Sequence, residues 1–270
     1  MRLLIFGPGY TATRLIARLA GRVDIATVTR ETFAGRAPDI ANATHILSTV
    51  PPGETDPVLT AYGNEIAASG AWIGYLSSTG VYGDAEGAWV DETAPTGTGR
   101  RTARAQADAA WRALPNARVF RLPGIYGPGR SPLDRIRAGA ATRIDVPGQV
   151  FSRVHVDDIV SGVVAGFEGP PGAYNLADDL PAPQSDVIAY GCALLGLSVP
   201  PLVPLEQANL SPQARAFYAE NRRIANLKAK RVLGWTPRYV DYRLGLRALS
   251  ATTSPATTST APPAASHDQR

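Results

Sequence analysis

A glycine-containing turn immediately after the first apolar run is the feature that most constrains the fold of this chain. Residues 3–6 have the apolar pattern of a buried strand, and the turn Gly-Pro-Gly-Tyr-Thr-Ala at 7–12 follows directly. Apolar side chains at positions 12, 15, 16 and 19 then recur with the spacing of one helix face. The order of strand, tight turn and helix predicts the first unit of a parallel α/β sheet.

The residue types in this turn are those needed to hold a pyrophosphate. Gly7 permits the tight turn, Gly9 lets a phosphate approach the backbone, and the small Ala12 lets the helix pack closely on the strand. Tyr10 and Thr11 begin the helix, where free backbone N–H groups bind phosphate oxygens. An ordinary turn has the same pattern, but the position between strand and helix favours a dinucleotide-binding site.

Short apolar runs alternate with helical periodicity along most of the chain. Strand patterns recur at 3–6, 25–28, 45–50, 72–76 and 118–122, and a helical pattern covers 102–114. A longer helical pattern covers 211–233 and ends at Gly234. This alternation predicts the α/β class, with a Rossmann-type doubly wound parallel sheet and a smaller C-terminal substrate lobe.

The predicted domain boundaries follow changes in this pattern. Residues 1–168 are predicted to form mainly the dinucleotide-binding domain, with 123–148 contributing to the substrate cleft. Residues 169–249 are predicted to form mainly the substrate lobe. Residues 250–270 are almost devoid of large apolar side chains and cannot offset the entropy of ordering, so a disordered tail is predicted.

Composition argues against several classes of function. The single cysteine, Cys192, cannot form an internal disulfide, and the three histidines lack the spacing of a metal site. Lys228 and Lys230 are the only lysines among 27 basic residues, which excludes a Walker phosphate loop. The arginines are scattered, so no nucleic-acid partner is expected despite a net charge of +4. No apolar run has membrane-spanning length, and a cytoplasmic protein without a membrane partner is expected.

The end of the second predicted strand bears on the choice of cofactor. An acid at this position binds the ribose hydroxyls of NAD, whereas an arginine pairs with the extra phosphate of NADP. Arg30 comes first after the strand and favours NADP, while the adjacent Glu31 keeps NAD open. Two solvated loop charges are the alternative interpretation.

Four further motifs resemble a known family. They are Ser-Ser-Thr-Gly-Val-Tyr-Gly at 77–83, the Gly/Pro-rich loop at 121–129, Val-His-Val-Asp-Asp at 154–158 and Leu-Gly-Trp-Thr-Pro at 233–237. Together with the turn at 7–12, they resemble, in the right order, the extended short-chain dehydrogenase/reductases, the NAD(P)-dependent sugar-nucleotide epimerase/dehydratase group. The resemblance implies a cofactor lying across the strand ends, a hydroxylated small-molecule substrate, and allows a homodimer.

The resemblance also implies roles for individual residues. Ser78 or the adjacent Thr79 stands where the family has its catalytic hydroxyl. Two short segments are expected beside the cofactor, the second of them near the nicotinamide: Ser48, Thr49 and Val50, and Pro123, Gly124 and Ile125. Arg130 and His155 are candidate substrate contacts, although a buried structural histidine is the stronger reading of His155.

The chain departs from the family at its acid–base pair. Active members carry a tyrosine and, four residues later, a lysine that lowers the pKa of the tyrosine. The matching positions here are Arg100 and Arg104, in a register fixed by Asp108, and no lysine precedes Lys228. Arg104 remains a candidate for binding ribose or phosphate, but a permanent cation cannot replace the tyrosine. Tyr82 is the nearest phenol that could substitute, although a packing or substrate-contact role is the favoured interpretation.

A second departure is the short connection at 31–43, which has no room for both a strand and a crossover helix. One sheet element is therefore expected to be shortened or lost, which opens the adenine side of the site. Two hypotheses follow. One is an NADP-dependent oxidoreductase or epimerase/dehydratase-like enzyme with an atypical active site. The other is a non-catalytic sensor or regulatory module that binds NADP.

Overall fold

The computed structural model describes residues 1–99 and 102–253, and a six-stranded parallel sheet lies at its centre. Its strands are β1 (Arg2–Phe6), β2 (Asp24–Val28), β3 (His45–Ser48), β4 (Trp72–Ser78), β6 (Ala117–Leu122) and β10 (Gly172–Asn175). Their order across the sheet is β10-β6-β4-β3-β1-β2. The five strand patterns predicted from the sequence all lie in this sheet, and the predicted α/β Rossmann-type class is confirmed.

Alternating side chains of the strands build two apolar layers. On β1, Leu3 and Ile5 face one layer, whereas Leu4 and Phe6 face the other, as the two-residue period of a strand requires. Both faces are covered by helices, which explains why the strands read as continuous apolar runs.

The helices that follow the strands divide between the two faces. The first layer contains α1 (Tyr10–Leu19) and α6 (Val156–Ala165), and the second contains α2 (Ala37–Asn42), α3 (Pro57–Ala68) and α4 (Thr102–Ala113). Asp56 caps α3 by accepting hydrogen bonds from two backbone N–H groups and also accepts one from the Trp111 indole at 2.8 Å. This carboxylate therefore fixes α3 against α4.

A smaller lobe packs beside the carboxyl edge of the sheet. Its third apolar cluster joins α5 (Pro132–Arg137), α7 (Gln184–Leu195) and α10 (Tyr242–Thr253). The remaining elements are β5 (Trp89–Val90), β7 (Gly124–Tyr126), β8 (Arg143–Asp145), β9 (Arg153–His155), β11 (Leu202–Pro204), α8 (Pro212–Ala216), β12 (Arg223–Ile224) and α9 (Leu227–Leu233). Three parallel pairs link them: β7 with β9, β8 with β11, and β5 with β12.

The short connection after β2 holds only the six-residue helix α2, and β2 is the edge strand of the sheet. Within the described residues, no strand lies between β2 and β3. The expected loss of one sheet element is therefore found at this edge.

The helix predicted over 211–233 is wrong, because the structure breaks this segment into α8, a 3-10 turn, β12 and α9. The cause is tertiary. The backbone N–H of Asn221 donates to Asp84 at 2.7 Å, its side chain binds the 148–150 loop, and β12 then pairs with β5. Only the predicted stop at Gly234 holds, with a left-handed φ of 63°.

The segment predicted as mainly substrate lobe also contributes to the first domain. β10 pairs with β6 at the sheet edge, and Ala229 and Trp235 join the first apolar layer. The last helix, α10, extends to Thr253, past the predicted start of the tail at residue 250, and 254–270 lie outside the described residues. No helix in the described part of the chain is long and apolar enough to cross a membrane.

Candidate active site

A single cleft of about 840 Å³ runs from the carboxyl ends of the central strands into the smaller lobe. Because all six strands are parallel, their carboxyl ends meet at one edge, where open α/β sheets bind ligands. At the sheet end the cleft is lined by Gly9, Tyr10, Thr11, Thr49, Ser78, Thr79 and Arg104. The loop after β6 lines the middle, and β9, α7 and the 217–222 segment line the lobe end.

The two glycines of the first turn have different surroundings. Gly7 has φ +79°, and a Cβ there would lie 2.8 Å from Val50 Cγ2, so both conformation and packing require glycine. Gly9 has φ −81°, which any residue adopts, and a Cβ there would meet nothing closer than the Gly7 carbonyl at 4.0 Å. Protein packing therefore does not require glycine at position 9. The open space above it leaves room for a ligand group to approach the backbone.

The start of α1 faces the same space. Gly9 is the N-cap residue, no side chain caps the helix, and the first turn contains no acidic residue. The first N–H groups of α1 therefore point their positive ends into the cleft beside Tyr10 and Thr11. Ala12 is buried against the strand layer, which is the close packing predicted for a small residue.

Residues 48–50, at the end of β3 and directly after it, lie next to the glycine turn. Thr49 lines the cleft, and its hydroxyl donates a hydrogen bond to the Gly7 carbonyl. Ser48 is fully buried, and its hydroxyl has no hydrogen-bond partner within the described residues. Val50 packs against Gly7. Of these three predicted residues, the structure brings only Thr49 to the cleft surface.

Ser78 and Thr79 stand at the end of β4, next to the middle of the cleft. The Ser78 hydroxyl accepts a hydrogen bond from the Gly80 backbone N–H at 3.1 Å, which fixes its position and leaves its own proton available for donation. Ser78 is partly exposed, whereas Thr79 is 5% exposed. Ser78 is therefore the more accessible donor.

A buried polar network lies directly behind these hydroxyls. Arg121 and Asp108 form an ion pair at 2.6 Å, and Ser77 donates to the same carboxylate at 2.7 Å. Tyr82 accepts a hydrogen bond from Arg121 and donates one to Asn175. Burial raises the pKa of Tyr82 to about 12, and Tyr82 does not line the cleft. The structure thus places the predicted catalytic phenol in a structural network.

Arg104 projects from α4 into the cleft close to the serine strand. Within the described residues, its guanidinium has no hydrogen-bond or ion-pair partner, so all of its donors are available to a ligand. Arg100, at the position of the family's tyrosine, lies outside the described residues.

The loop after β6 lines the middle of the cleft with Pro123, Gly124 and Ile125. Arg130 also lines the cleft and lies above the Tyr10 ring, with its guanidinium carbon 5.8 Å from the ring centroid. Tyr10, a predicted cofactor contact, and Arg130, a predicted substrate contact, therefore lie next to each other at the cleft surface.

His155 is placed differently from the predicted substrate contact. It is 1% exposed, lies outside the cleft lining, and accepts a hydrogen bond from the Asp157 N–H at the start of α6. Its ring packs on Tyr239, with centroids 4.0 Å apart. Burial lowers the pKa of His155 to about 4, although the neighbouring Asp157 acts in the opposite direction. These contacts fit a structural role for His155.

Arg30 and Glu31 lie at the exposed end of β2, beyond the cleft lining. The Glu31 carboxylate accepts a hydrogen bond from the Thr29 hydroxyl at 2.6 Å, which also lowers its pKa. Arg30 has no such partner within the described part of the chain, so its guanidinium is the freer of the two charged groups.

Sequence reasoning missed the lobe end of the cleft. Its lining includes Phe151, Arg153, Gln184, Tyr218, Glu220 and Arg222. These residues belong to separate elements, and no spacing in the sequence connects them. The one available signal was the arginine on β9, two positions before His155.

No protein-family model matches the chain. Among curated relatives, a 3-diazoavenalumate denitrifying reductase from Streptomyces sp is 31% identical over 140 residues, covering 47% of this chain and 45% of the relative. Protein YeeZ of Escherichia coli strain K12 is 33% identical over 132 residues, covering 47% of each chain. The match thus spans about half the length of these relatives.

Solved structures match the fold over most of the chain. The human epimerase family protein SDR39U1 with NADPH is 17% identical, with a TM-score of 0.71, and covers 93% of this chain and 99% of that one. A dTDP-glucose 4,6-dehydratase from Bacillus anthracis in complex with NAD is 16% identical, with a TM-score of 0.72, covering 93% and 96%. The chain therefore shares the fold of these two proteins, as the resemblance found in the sequence implies.

A nearer relative is a functionally unknown conserved protein from Silicibacter pomeroyi DSS. It is 44% identical, with a TM-score of 0.85, and the alignment covers 93% of this chain and 98% of that chain. The chain belongs to the same family as this protein.

The buried His155 predicts an acid-sensitive contribution to stability. The pKa of a histidine in an unfolded chain is about 6.5. Between pH 6.5 and about 4, the unfolded chain therefore binds a proton that the folded chain does not. The free energy of unfolding is therefore expected to fall more steeply with acidification in the wild type than in His155→Asn, whose amide oxygen can still cap α6. Urea unfolding at several pH values measures this difference. Equal slopes would contradict it.

Proposed function

We propose that this protein is an NAD(P)-dependent oxidoreductase of the epimerase/dehydratase-like kind, acting on a small molecule that carries a hydroxyl or carbonyl group. One observation carries the proposal. A single cleft connects the glycine turn and the uncapped start of α1 with the Ser78 hydroxyl and the Arg104 guanidinium, and it continues into the smaller lobe. The names of the relatives support an enzyme over a non-catalytic sensor.

The residues present fit a nicotinamide dinucleotide. The space above Gly9 and the free N–H groups of α1 suit the pyrophosphate, and Thr49 keeps the Gly7 turn in place. Arg104 is positioned to donate hydrogen bonds to ribose hydroxyls. Pro123, Gly124 and Ile125 would flank the nicotinamide. Neighbours of the same fold with NADPH or with NAD support this class of cofactor.

When bound, the nicotinamide supplies or accepts a hydride, so that a carbonyl becomes an alcohol with uptake of one proton, or the reverse. Ser78 would donate its hydroxyl proton as a hydrogen bond to the substrate oxygen, where negative charge develops. Arg104 adds a fixed positive charge near this oxygen but cannot transfer the proton, because it remains protonated. The proton therefore comes from another group or from water.

We expect Gly9→Val to abolish dinucleotide binding while leaving the fold intact. The valine side chain fits the backbone conformation at position 9 but fills the space where phosphate would lie. Fluorescence titration with NADPH and NADH, together with thermal unfolding, measures both effects. Gly7→Val is the contrasting variant and should lose stability, because its side chain meets Val50 and its φ is positive. NADPH binding by Gly9→Val at wild-type affinity would overturn the proposed cofactor site.

Ser78→Ala should lower turnover about a hundredfold, the usual effect of removing one donor to a developing oxyanion. Its affinity for NADPH should stay within about twofold, because the hydroxyl faces the substrate. The assay follows NADPH absorbance with a compound that the wild type reduces from a panel of aldehydes and ketones. Thr79→Val is the matched control and should retain most activity. The reverse result would assign the hydroxyl role to Thr79.

The free guanidinium at position 30 predicts a preference for NADP(H). Arg30→Ala should weaken NADPH binding about tenfold, the value of one charge-assisted contact, and leave NADH binding unchanged. Arg22→Ala, an exposed arginine at the opposite end of β2, should change neither affinity. Tighter binding of NADH than NADPH by the wild type would instead move the ribose contact to Glu31.

A further inference from the structure

Arg153 is a buried cation at the lobe end of the cleft, on β9. It lines the cleft, yet only 6% of its surface is exposed. Its guanidinium donates to the carbonyls of Phe151 and Ala182 at 2.7 and 2.9 Å and to the Gln184 amide oxygen at 2.9 Å. An arginine has five N–H donors, so these three bonds to neutral acceptors leave donors for a ligand.

No carboxylate in the described part of the chain forms an ion pair with Arg153. The acid that acts on it electrostatically is the buried Asp178. Burial raises the pKa of Asp178 to about 8, although the charge of Arg153 acts in the opposite direction, so this carboxyl is largely protonated near neutral pH. Within the described residues, Arg153 thus donates to neutral oxygens and both Asp178 oxygens lack a hydrogen-bond partner, so no carboxylate pairs directly with this buried charge, which is costly.

Aromatic and aliphatic side chains surround this cation in the cleft. The rings of Phe151 and Tyr218 meet edge to face, with centroids 5.4 Å apart. Ile144 and Ile188 line the same end. Arg135 also lines it but is exposed, so water screens its charge much more than that of Arg153.

Two of the side-chain acceptors at this end bind within the protein. The Gln184 oxygen accepts from Arg153, and a Glu220 carboxylate oxygen accepts from Arg222 at 2.9 Å. A buried cation beside aromatic and aliphatic side chains suits a ligand with an apolar, aromatic body and one anionic group.

We propose that Arg153 binds the carboxylate of a small aromatic acid, whose ring packs against the Phe151 and Tyr218 pair. The reactive carbonyl or hydroxyl of this acid then extends toward Ser78. The inference rests on the proposed function, because the proposed function assigns the sheet end of the same cleft to the cofactor. It departs from the sugar nucleotide in the name of the dTDP-glucose 4,6-dehydratase that shares the fold.

The test compares acids with their neutral amides. Benzoate, phenylacetate and 3-phenylpropanoate are titrated against benzamide, phenylacetamide and 3-phenylpropanamide by ligand-observed NMR, with and without NADPH. At least one acid should bind the wild type about tenfold more tightly than its amide, as expected for a charged hydrogen bond. Arg153→Gln should remove this preference, and Arg153→Lys should restore part of it. Arg135→Gln, the exposed control, should change it less than about threefold.

The possible failures are distinguishable. Equal binding of every acid and its amide to the wild type, or no binding at millimolar concentration, would overturn the role of Arg153 even if the variants do not fold. Displacement of the acids by UDP would assign this end to a nucleotide and overturn the small-acid proposal. Failure of the wild type to bind either NADPH or NADH would overturn the proposed function, whereas the acid–amide comparison without cofactor still tests Arg153. Thermal unfolding confirms that each variant is folded.

Discussion

Arg121 and Asp108 form an ion pair with both side chains almost completely buried, and the geometry of the site depends on it. The pair joins β6 to α4, and through Ser77 and Tyr82 it also holds the end of β4 and, by way of Asn175, β10. Two desolvated charges give little net stability but tolerate few alternative arrangements, because each needs the other. The network therefore fixes the strand end that carries Ser78 and the helix that carries Arg104.

The two ends of the cleft differ in how they provide positive charge. At the sheet end, backbone N–H groups of α1 supply a partial positive charge, which requires only a glycine turn and no particular side chain. At the lobe end, Arg153 supplies a full charge held by carbonyl and amide oxygens. The first arrangement suits a phosphate of any nucleotide, whereas the second depends on one residue and is therefore the end where substrate selection is expected.

Local patterns were enough to predict most of the sheet and several residues at its carboxyl edge. The strand patterns, the glycine turn and the hydroxyl-rich end of β4 are each contiguous in sequence, and the structure brings Gly9, Thr49, Ser78, Arg104 and Gly124 to one cleft. The helix predicted over 211–233 was wrong because its pairing partners, Asp84 and β5, lie more than a hundred residues away. No local signal reports such a contact. Tyr82 and His155 were candidates for reactive groups in the sequence, although other roles were favoured, and burial gives both of them structural contacts.

The sequence by itself determined the α/β class, the glycine turn before the first helix and the absence of the Tyr/Lys pair, since each depends on residue type at fixed local spacing. Only the tertiary structure decided which polar residues face the cleft. It buried Tyr82, Ser48 and His155 and brought Arg153, Phe151, Gln184 and Tyr218 together from separate elements. The physical reason is that burial and charge compensation are set by neighbours distant in sequence, so the chemistry of the substrate end appears only when the chain is folded.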